Sequence, residues 1–133
     1  MLNKLYEQYK DRVAFYIVYI QEAHSSDVWQ MASNIKDKVI FRTPQSYGER
    51  TDVATSCVRK LGIKIPAIVD DLSNSTERSY TGWPDRIYLV DEKGTIVLKT
   101  KPGPFGFKTS ALEKELQHLS AKALPQSHAV TSR

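Results

Sequence analysis

The segment from Val13 to His24, VAFYIVYIQEAH, limits the fold more than any other part of the chain. As far as Ile20 it contains only β-branched, aromatic and small apolar side chains, which predicts a strand buried on both faces. Such strands belong to sheets that are covered by helices, and the functional crevice of an open α/β sheet lies just outside the carboxyl ends of its strands. The apolar run stops at Gln21, so Glu22 and His24 are the first candidates for chemistry.

The length and charge of the chain predict a single domain without a membrane span or a nucleic-acid partner. Its 133 residues, 41% of them hydrophobic, suffice for one core but not for two. No apolar run reaches the roughly 18 residues of a membrane span, and the amphipathic start MLNKLYEQYKDR does not resemble a secretory signal, so we predict a cytoplasmic location. The net charge of +4 is spread along the whole length, which argues against nucleic-acid binding.

The single cysteine, Cys57, excludes an intrachain disulfide, a CxxC redox pair and a cysteine-based zinc site, and no metal site is predicted. The capping-box pair Ser46 and Glu49, together with Gly62, marks the two ends of a helix around it. Cys57 falls on the apolar stripe of that helix. We therefore predict an almost fully buried thiol that acts as a small hydrophobe rather than as a nucleophile.

The other periodic segments complete an α/β pattern. The spacing of apolar residues predicts a helix near each end of the chain, and a capping box at Ser110 and Glu113 opens the last one. Between these helices, β-rich runs bounded by turn residues predict a second core strand and an antiparallel hairpin. These elements are the helix Leu2–Lys10, the strand Ile65–Val69, the hairpin strands Arg86–Val90 and Thr95–Lys99, and a helix containing Leu112, Leu116 and Leu119.

The remaining segments show little or no regular period. Ser25–Lys38 is predicted to be a loop with room for one helical turn, and Val39–Phe41 is a candidate for a short strand. Leu72–Gly82 is predicted to be a connection. Alternating Pro and Gly exclude helix and regular strand from Lys101–Phe107, and residues 124–133 are predicted to be a disordered tail.

The order helix, strand, helix, strand, hairpin, helix is the thioredoxin arrangement without its first strand. It predicts that Val13–Ile20 and Ile65–Val69 are neighbouring parallel strands. Four strings, VYIQEAHSSDVW, IPAIVDDLSN, YTGWPDRIYLVDEKG and KPGPFGF, resemble the iodothyronine deiodinase domain and its bacterial deiodinase-like relatives. The similarity extends from Leu2 to about Leu119 and includes the unusual string YIxEAHxSDxW. It implies an α/β, thioredoxin-like domain over residues 1–123.

The resemblance implies three catalytic positions. Glu22 and His24 match the acidic residue and the histidine of the family's EAH motif, which support substrate binding and proton transfer during the reductive removal of iodide. Asp85 in the string DRIY matches the Glu of the family's ERLY string and is one methylene shorter. The family's selenocysteine or cysteine precedes the helix that Leu2–Lys10 resembles, so we expect this nucleophile to lie before Met1 and the chain as given to be inactive.

Three neighbouring residues are candidates for substrate binding. They are Trp83, Arg86 and Phe105, of which Trp83 also fits a packing role. Two departures from animal members weaken the case for a thyroid hormone as substrate, because the string VIFRTPQ lacks their later histidine and Pro102 replaces an Arg that some of them carry. No bound cofactor is predicted, and the resemblance implies a small-molecule substrate and an external thiol reductant as partners.

The chemistry of the side chains supports a functional role for Glu22 and His24 independently of the resemblance. The unperturbed pKa of histidine is about 6.5, which suits a proton donor near neutral pH. Glu22, two residues before His24 on an extended segment, projects to the same side and could fix the histidine tautomer and raise its pKa. The alternative is that His24 caps the loop and that Glu22 faces solvent.

Three hypotheses stay open for the function. The first is part of an oxidoreductase, either deiodinase-like or of the thiol peroxidase or reductase type, whose nucleophile lies upstream. The second is a non-catalytic homologue that binds a small molecule or a protein in the same cleft. The third is an interaction domain whose bare sheet edge pairs with another chain, for example in a homodimer.

Overall fold

The computed structural model describes residues 1–23, 36 and 41–123. Within these ranges the chain forms four helices and four strands in mixed order, which confirms the predicted α/β class, and no helix among them is long and apolar enough to cross a membrane. The elements in chain order are α1 (Leu2–Tyr9), β1 (Ile17–Tyr19), α2 (Tyr47–Lys60), β2 (Ala67–Val69), α3 (Ser75–Tyr80), β3 (Tyr88–Val90), β4 (Ile96–Lys99) and α4 (Thr109–Ala123).

Some of the predictions concern residues outside the described ranges. They are those for His24, for the tail 124–133, and for most of the segments Ser25–Lys38 and Val39–Phe41.

The strands form two pairs. β1 and β2 are parallel, with Ile17 opposite Ala67, which confirms their prediction as neighbouring parallel strands. β3 and β4 are antiparallel, so the predicted hairpin is confirmed. The turn between them is closed by the Asp91 carboxylate, which accepts hydrogen bonds from the backbone N–H groups of Lys93 and Thr95, each at 2.9 Å.

The prediction of a strand buried on both faces is wrong. β1 begins at Ile17 rather than at Val13, and Val18 in its centre is 37% exposed. Ile68, which lies opposite Val18 in the parallel pair, is 50% exposed. Because successive side chains point to opposite faces of a strand, one face of this pair is only partly covered by the described residues.

The apolar core lies between α1, β3 and α4. Leu5 and Leu116 are only 2% and 1% exposed, because helical spacing brings them to the inner faces of α1 and α4. The burial of one such side chain contributes about 1.5–3 kcal/mol to stability. The buried members of this core are Leu5, Tyr9, Ile87, Leu89, Leu112 and Leu116.

The caps of α2 agree with the sequence, whereas the predicted start of α4 does not. The Ser46 hydroxyl accepts a hydrogen bond from the Glu49 backbone N–H at 3.1 Å, and Gly62 after the other end of α2 has a φ of 60°. Both predicted ends of α2 are therefore confirmed. α4 begins at Thr109, so Ser110 already lies inside the helix and the capping box predicted there is wrong.

The connection predicted over Leu72–Gly82 contains helix α3. Its first turn is held by the carboxylate of Asp70, which accepts hydrogen bonds from the backbone N–H groups of Thr76 and Glu77 at 3.1 and 2.9 Å. Side-chain acceptors of this kind satisfy the free donors at the start of a helix. α3 has no buried residue, so no apolar period marks it in the sequence.

Candidate active site

A cavity of about 270 Å³ opens at the carboxyl end of β1. It is lined by β1, by the residues that follow this strand and by Pro84, and the half-buried Glu22 forms part of its wall. Gly82 lies close by, since a Cβ atom at this position would stand 3.7 Å from the Ile20 Cδ1 atom. The cavity therefore lies between β1 and the segment that leads into the hairpin.

Asp85 continues this segment and contacts the Pro- and Gly-rich loop at 101–107. Its backbone carbonyl accepts a hydrogen bond from the Gly103 N–H at 3.1 Å. A Cβ atom at position 103 would come within 2.5 Å of the Asp85 Cγ atom, so only glycine leaves room for the carboxyl group. The loop therefore limits where the Asp85 side chain can lie.

The structure describes the three predicted catalytic residues to different degrees. Glu22 lines the cavity, and Asp85 directly follows Pro84, which lines it too. Asp85 itself is not among the lining residues, and His24 lies outside the described residues. A single cleft formed by all three side chains therefore stays a prediction.

The three candidates for substrate binding lie at or near the surface. Trp83 is 47% exposed and Phe105 is 92% exposed, so neither ring belongs to the core. Arg86 is half-buried, and its buried Nε has no hydrogen-bond partner among the described residues. The two accessible rings and this guanidinium group are suited to contact with a ligand, and their role stays a prediction.

Cys57 is half-buried, so the prediction of almost complete burial is wrong. The reason is that burial decreases along α2, from Ala54 at 3% exposure to Leu61, just after its end, at 47%. Burial nevertheless raises the pKa of the thiol from 9.0 to about 11, and the Glu22 carboxylate adds to this effect while Lys60 opposes it. The thiol is therefore protonated at neutral pH, which is the state of an unreactive cysteine.

A tyrosine pair beside the hairpin was missed by sequence reasoning. The Tyr88 hydroxyl donates a hydrogen bond to the Tyr80 backbone carbonyl, and the two rings meet edge to face with centroids 5.1 Å apart. Burial alone would raise the pKa of Tyr88, but hydrogen bonding with Lys99 and Thr81 outweighs burial and lowers this pKa. The hairpin register contains the signal for this contact, because it places Lys99 directly opposite Tyr88.

Two buried charged residues near the carboxyl end of β2 were also missed. Arg50 is 5% exposed and Asp70 is 3% exposed. Burial alone would raise the pKa of Asp70, but hydrogen bonds from Glu77 and Thr76 outweigh burial and lower this pKa. A signal for Arg50 was present, because this residue precedes Ala54 by one helical turn and so shares the face of the apolar stripe.

In the part of the chain that the structure describes, no cluster of three or more His, Cys, Asp or Glu side chains is placed to hold a metal ion.

Several known proteins that are similar to this chain are deiodinases. The family model described as iodothyronine deiodinase matches residues 1–120. The type I iodothyronine deiodinase of Xenopus laevis is 32% identical over 117 residues, which cover 85% of this chain and 44% of that protein. The thyroxine 5-deiodinases of Ovis aries and Homo sapiens are each 30% identical over 116 residues, which cover 86% of this chain and 38% and 36% of those proteins.

These matches cover most of this chain but less than half of each relative. The family model begins before α1 and ends inside α4, so it includes both sheets, the cavity and the loop beside Asp85. The chain therefore belongs to the iodothyronine deiodinase family.

Proposed function

We propose that this domain supplies the acid–base and substrate-binding groups of a deiodinase-like oxidoreductase that removes a halogen from a small aromatic molecule. The observation that carries the proposal is the half-buried Glu22 in a cavity at the carboxyl end of β1. Open α/β sheets bind their ligands at this position. The match to the iodothyronine deiodinase family supports the same reaction class.

The reaction requires a soft nucleophile, a proton and two electrons. The nucleophile takes the halogen from the ring carbon, and the carbon receives the proton. Two molecules of an external thiol then reduce the halogenated nucleophile, leave as a disulfide and release halide. The nucleophile would be a selenocysteine or cysteine from outside residues 1–133, because the raised pKa of Cys57 keeps this thiol protonated at neutral pH. Thiol reductants of this kind are present in the cytoplasm, which is the compartment that we expect.

The residues of this chain would hold the substrate and deliver the proton. His24 is the proposed proton donor, since its unperturbed pKa of about 6.5 lies near physiological pH. The Glu22 carboxylate would orient its ring and favour the charged form. Asp85, fixed against Gly103, is the second acidic group. The groups proposed to contact the substrate are the rings of Trp83 and Phe105 and the guanidinium of Arg86.

The test compares two forms of the protein with an aryl iodide and a thiol reductant. Residues 1–133 should show no turnover, because positioned acid–base groups cannot replace a missing nucleophile. A longer form, with an additional first strand ending in cysteine, should release iodide. His24→Ala should slow this longer form by roughly 10²–10⁴-fold.

The matched control is His118→Ala on α4. This histidine is largely exposed, and its Nδ1 atom lies 3.7 Å from a carboxylate oxygen of Glu115. Its removal should leave iodide release unchanged. Turnover by residues 1–133 alone, or equal losses in the two histidine variants, would contradict the proposed roles.

The arrangement of the sheets favours a second candidate function, that of an interaction domain. β1–β2 and β3–β4 form separate sheets, so within the described residues β1 and β3 each have one hydrogen-bonded neighbour. A free strand edge can pair with a strand of another chain, including a second copy of this one. Light scattering distinguishes the homodimer, which doubles the 15.1 kDa mass, from the monomer. A mass that stays monomeric at all concentrations would contradict pairing between copies.

A further inference from the structure

Arg50 on α2 connects this helix to the carboxyl end of β2. One of its terminal nitrogens, Nη1, donates hydrogen bonds to the backbone carbonyls of Asp70, at 3.4 Å, and Asp71. The same nitrogen donates to the Oδ1 atom of Asn74 at 2.8 Å. Arg50 is 5% exposed, so these contacts are shielded from competing water. The guanidinium therefore fixes the turn that follows β2.

Asn74 continues this connection toward β1. It has a φ of 57° and a ψ of 43°, a left-handed conformation that asparagine adopts more readily than most residues. Although it directly precedes α3, its side chain makes no capping hydrogen bond. The amide instead donates from Nδ2 to the Gln21 Oε1 atom at 3.2 Å. The side chain of Asn74 thus joins the segments that follow the two parallel strands.

The chemistry of Arg50 sets the orientation of both amides. A guanidinium has five N–H donors and no acceptor, so Asn74 must turn its oxygen toward Arg50. Its NH₂ group then faces away from Arg50, and the partner at that side must be an acceptor. The Gln21 oxygen is that acceptor. Arg50 can only donate hydrogen bonds, whereas an amide can present either its oxygen or its NH₂ group. Arg50 therefore determines the order of donors and acceptors from α2 to the end of β1.

The residue after Gln21 also interacts with α2, the helix that contains Arg50. Gln21 is followed by Glu22, whose carboxylate is near enough to Cys57 to contribute to the raised pKa of this thiol. Cys57 and Arg50 lie about two turns apart on the same face of α2. Two positions of one helix are thus linked to two adjacent residues at the end of β1. Arg50 is linked to Gln21 through Asn74, and Cys57 is linked to Glu22 electrostatically.

We propose that Arg50 and Asn74 are positioning residues that hold the Gln21–Glu22 segment at the carboxyl end of β1 and so keep the Glu22 carboxylate in place relative to α2. The catalytic meaning of this inference rests on the proposed function, in which Glu22 is an active-site group. The geometric part does not depend on turnover and can be tested separately.

The test removes the amide of Asn74 and measures the ionisation of Cys57 in the folded protein. Asn74→Gly deletes the bridge while a glycine accepts the left-handed backbone without strain. If Glu22 moves away from α2, the Cys57 pKa should fall. A fall of about half a pKa unit would raise the thiolate fraction, and with it the rate of iodoacetamide alkylation, about threefold at a pH below the pKa.

Two further variants test whether the change in the Cys57 pKa comes from the loss of the bridge between Asn74 and Gln21. Thr81→Gly is the matched control, because Thr81 has a φ of 49° and lies at the other end of α3. This variant introduces the same backbone change without touching the bridge and should leave the Cys57 pKa unchanged. Gln21→Ala breaks the same bridge from an exposed position and should reproduce the effect of Asn74→Gly.

A double-mutant cycle with Glu22→Gln decides whether the effect passes through Glu22. Glu22→Gln alone should lower the Cys57 pKa, and Asn74→Gly should add nothing further in that background. A Cys57 pKa that Asn74→Gly leaves unchanged would overturn the inference. An equal fall with and without the Glu22 charge would overturn it as well, because it would indicate a general opening around the thiol. None of these results depends on iodide release. The measurements of the Cys57 pKa can therefore be interpreted even if the proposed function is wrong.

Discussion

The two sheets of this protein are held by different forces. The hairpin half consists of β3, β4, α1 and α4 and encloses a leucine core, with Leu116 1% exposed. The site half consists of β1, β2, α2 and α3, and its buried residues include Arg50 and Asp70, which are held by hydrogen bonds. Apolar burial is non-directional, whereas hydrogen bonds constrain both distance and angle. The comparison indicates that one half mainly supplies stability and that the other fixes the positions of side chains.

The largest loss of stability should come from the hairpin half. Leu116→Ala empties the most deeply buried position of the core and should lower the free energy of unfolding by about 2–5 kcal/mol. Leu119→Ala, on the same helix but only half-buried, is the control and should lower it less. Urea unfolding followed by circular dichroism measures both values. Equal losses would contradict a core centred on the inner face of α4.

A smaller loss should come from the site half. Asp70→Ala removes the acceptor of three backbone N–H groups, those of Asp71, Thr76 and Glu77. Because α3 has no buried residue, water can replace this acceptor in part, so the loss should resemble that of a helix N-cap, about 0.5–2 kcal/mol. Asp70→Asn keeps one acceptor oxygen and should lose less in the same urea titration. If Asp70→Ala instead destabilised the protein more than Leu116→Ala does, the assignment of stability to the hairpin half would be wrong.

The sequence predicts the hairpin half well because its signals are local. The spacing of Leu112 and Leu116 is enough to place the inner face of α4, and two β-rich runs around a Gly-containing turn are enough to predict the hairpin. The parallel pairing of β1 and β2 was also predicted, from the helix that connects these two strands in the chain. The burial of β1 was not predicted correctly, and Val18 in this strand is 37% exposed. A sequence pattern does not show which element covers each face of a strand.

The site half is less predictable because its contacts join residues that are far apart in the chain. Arg50 binds the Asp70 carbonyl across 20 positions, and Asn74 binds Gln21 across 53. No periodicity connects such residues. A polar segment such as α3, whose first turn is held by the Asp70 carboxylate and which buries no residue, also looks like an ordinary connection. The motif around Glu22 marks a candidate residue, but the network that holds this residue becomes visible only in three dimensions.

The smallest expected effect concerns pH and tests whether the Cys57 thiol in the site half resists ionisation in the folded protein. The Cys57 thiol has a pKa of about 11 when folded, against an ordinary value of 9.0, first because of burial and then because of Glu22. Below pH 9 both the folded and the unfolded thiol are protonated, and the shift has no effect on stability. Between the two values the unfolded thiol ionises while the folded one does not, so stability should fall as the pH rises.

The measurement compares this chain with Cys57→Ala in urea at neutral pH and at a pH between 9.0 and 11. Lysines and tyrosines that titrate in the same range affect both proteins, so only the difference in their loss of stability reports on the thiol. The chain with Cys57 should lose more stability than the variant, by less than the loss caused by Asp70→Ala, because the thiol is only half-buried and solvent screens part of the effect. Parallel loss in the two proteins would mean that Cys57 ionises alike in the folded and unfolded states, and neither burial nor Glu22 would then raise the pKa of this thiol.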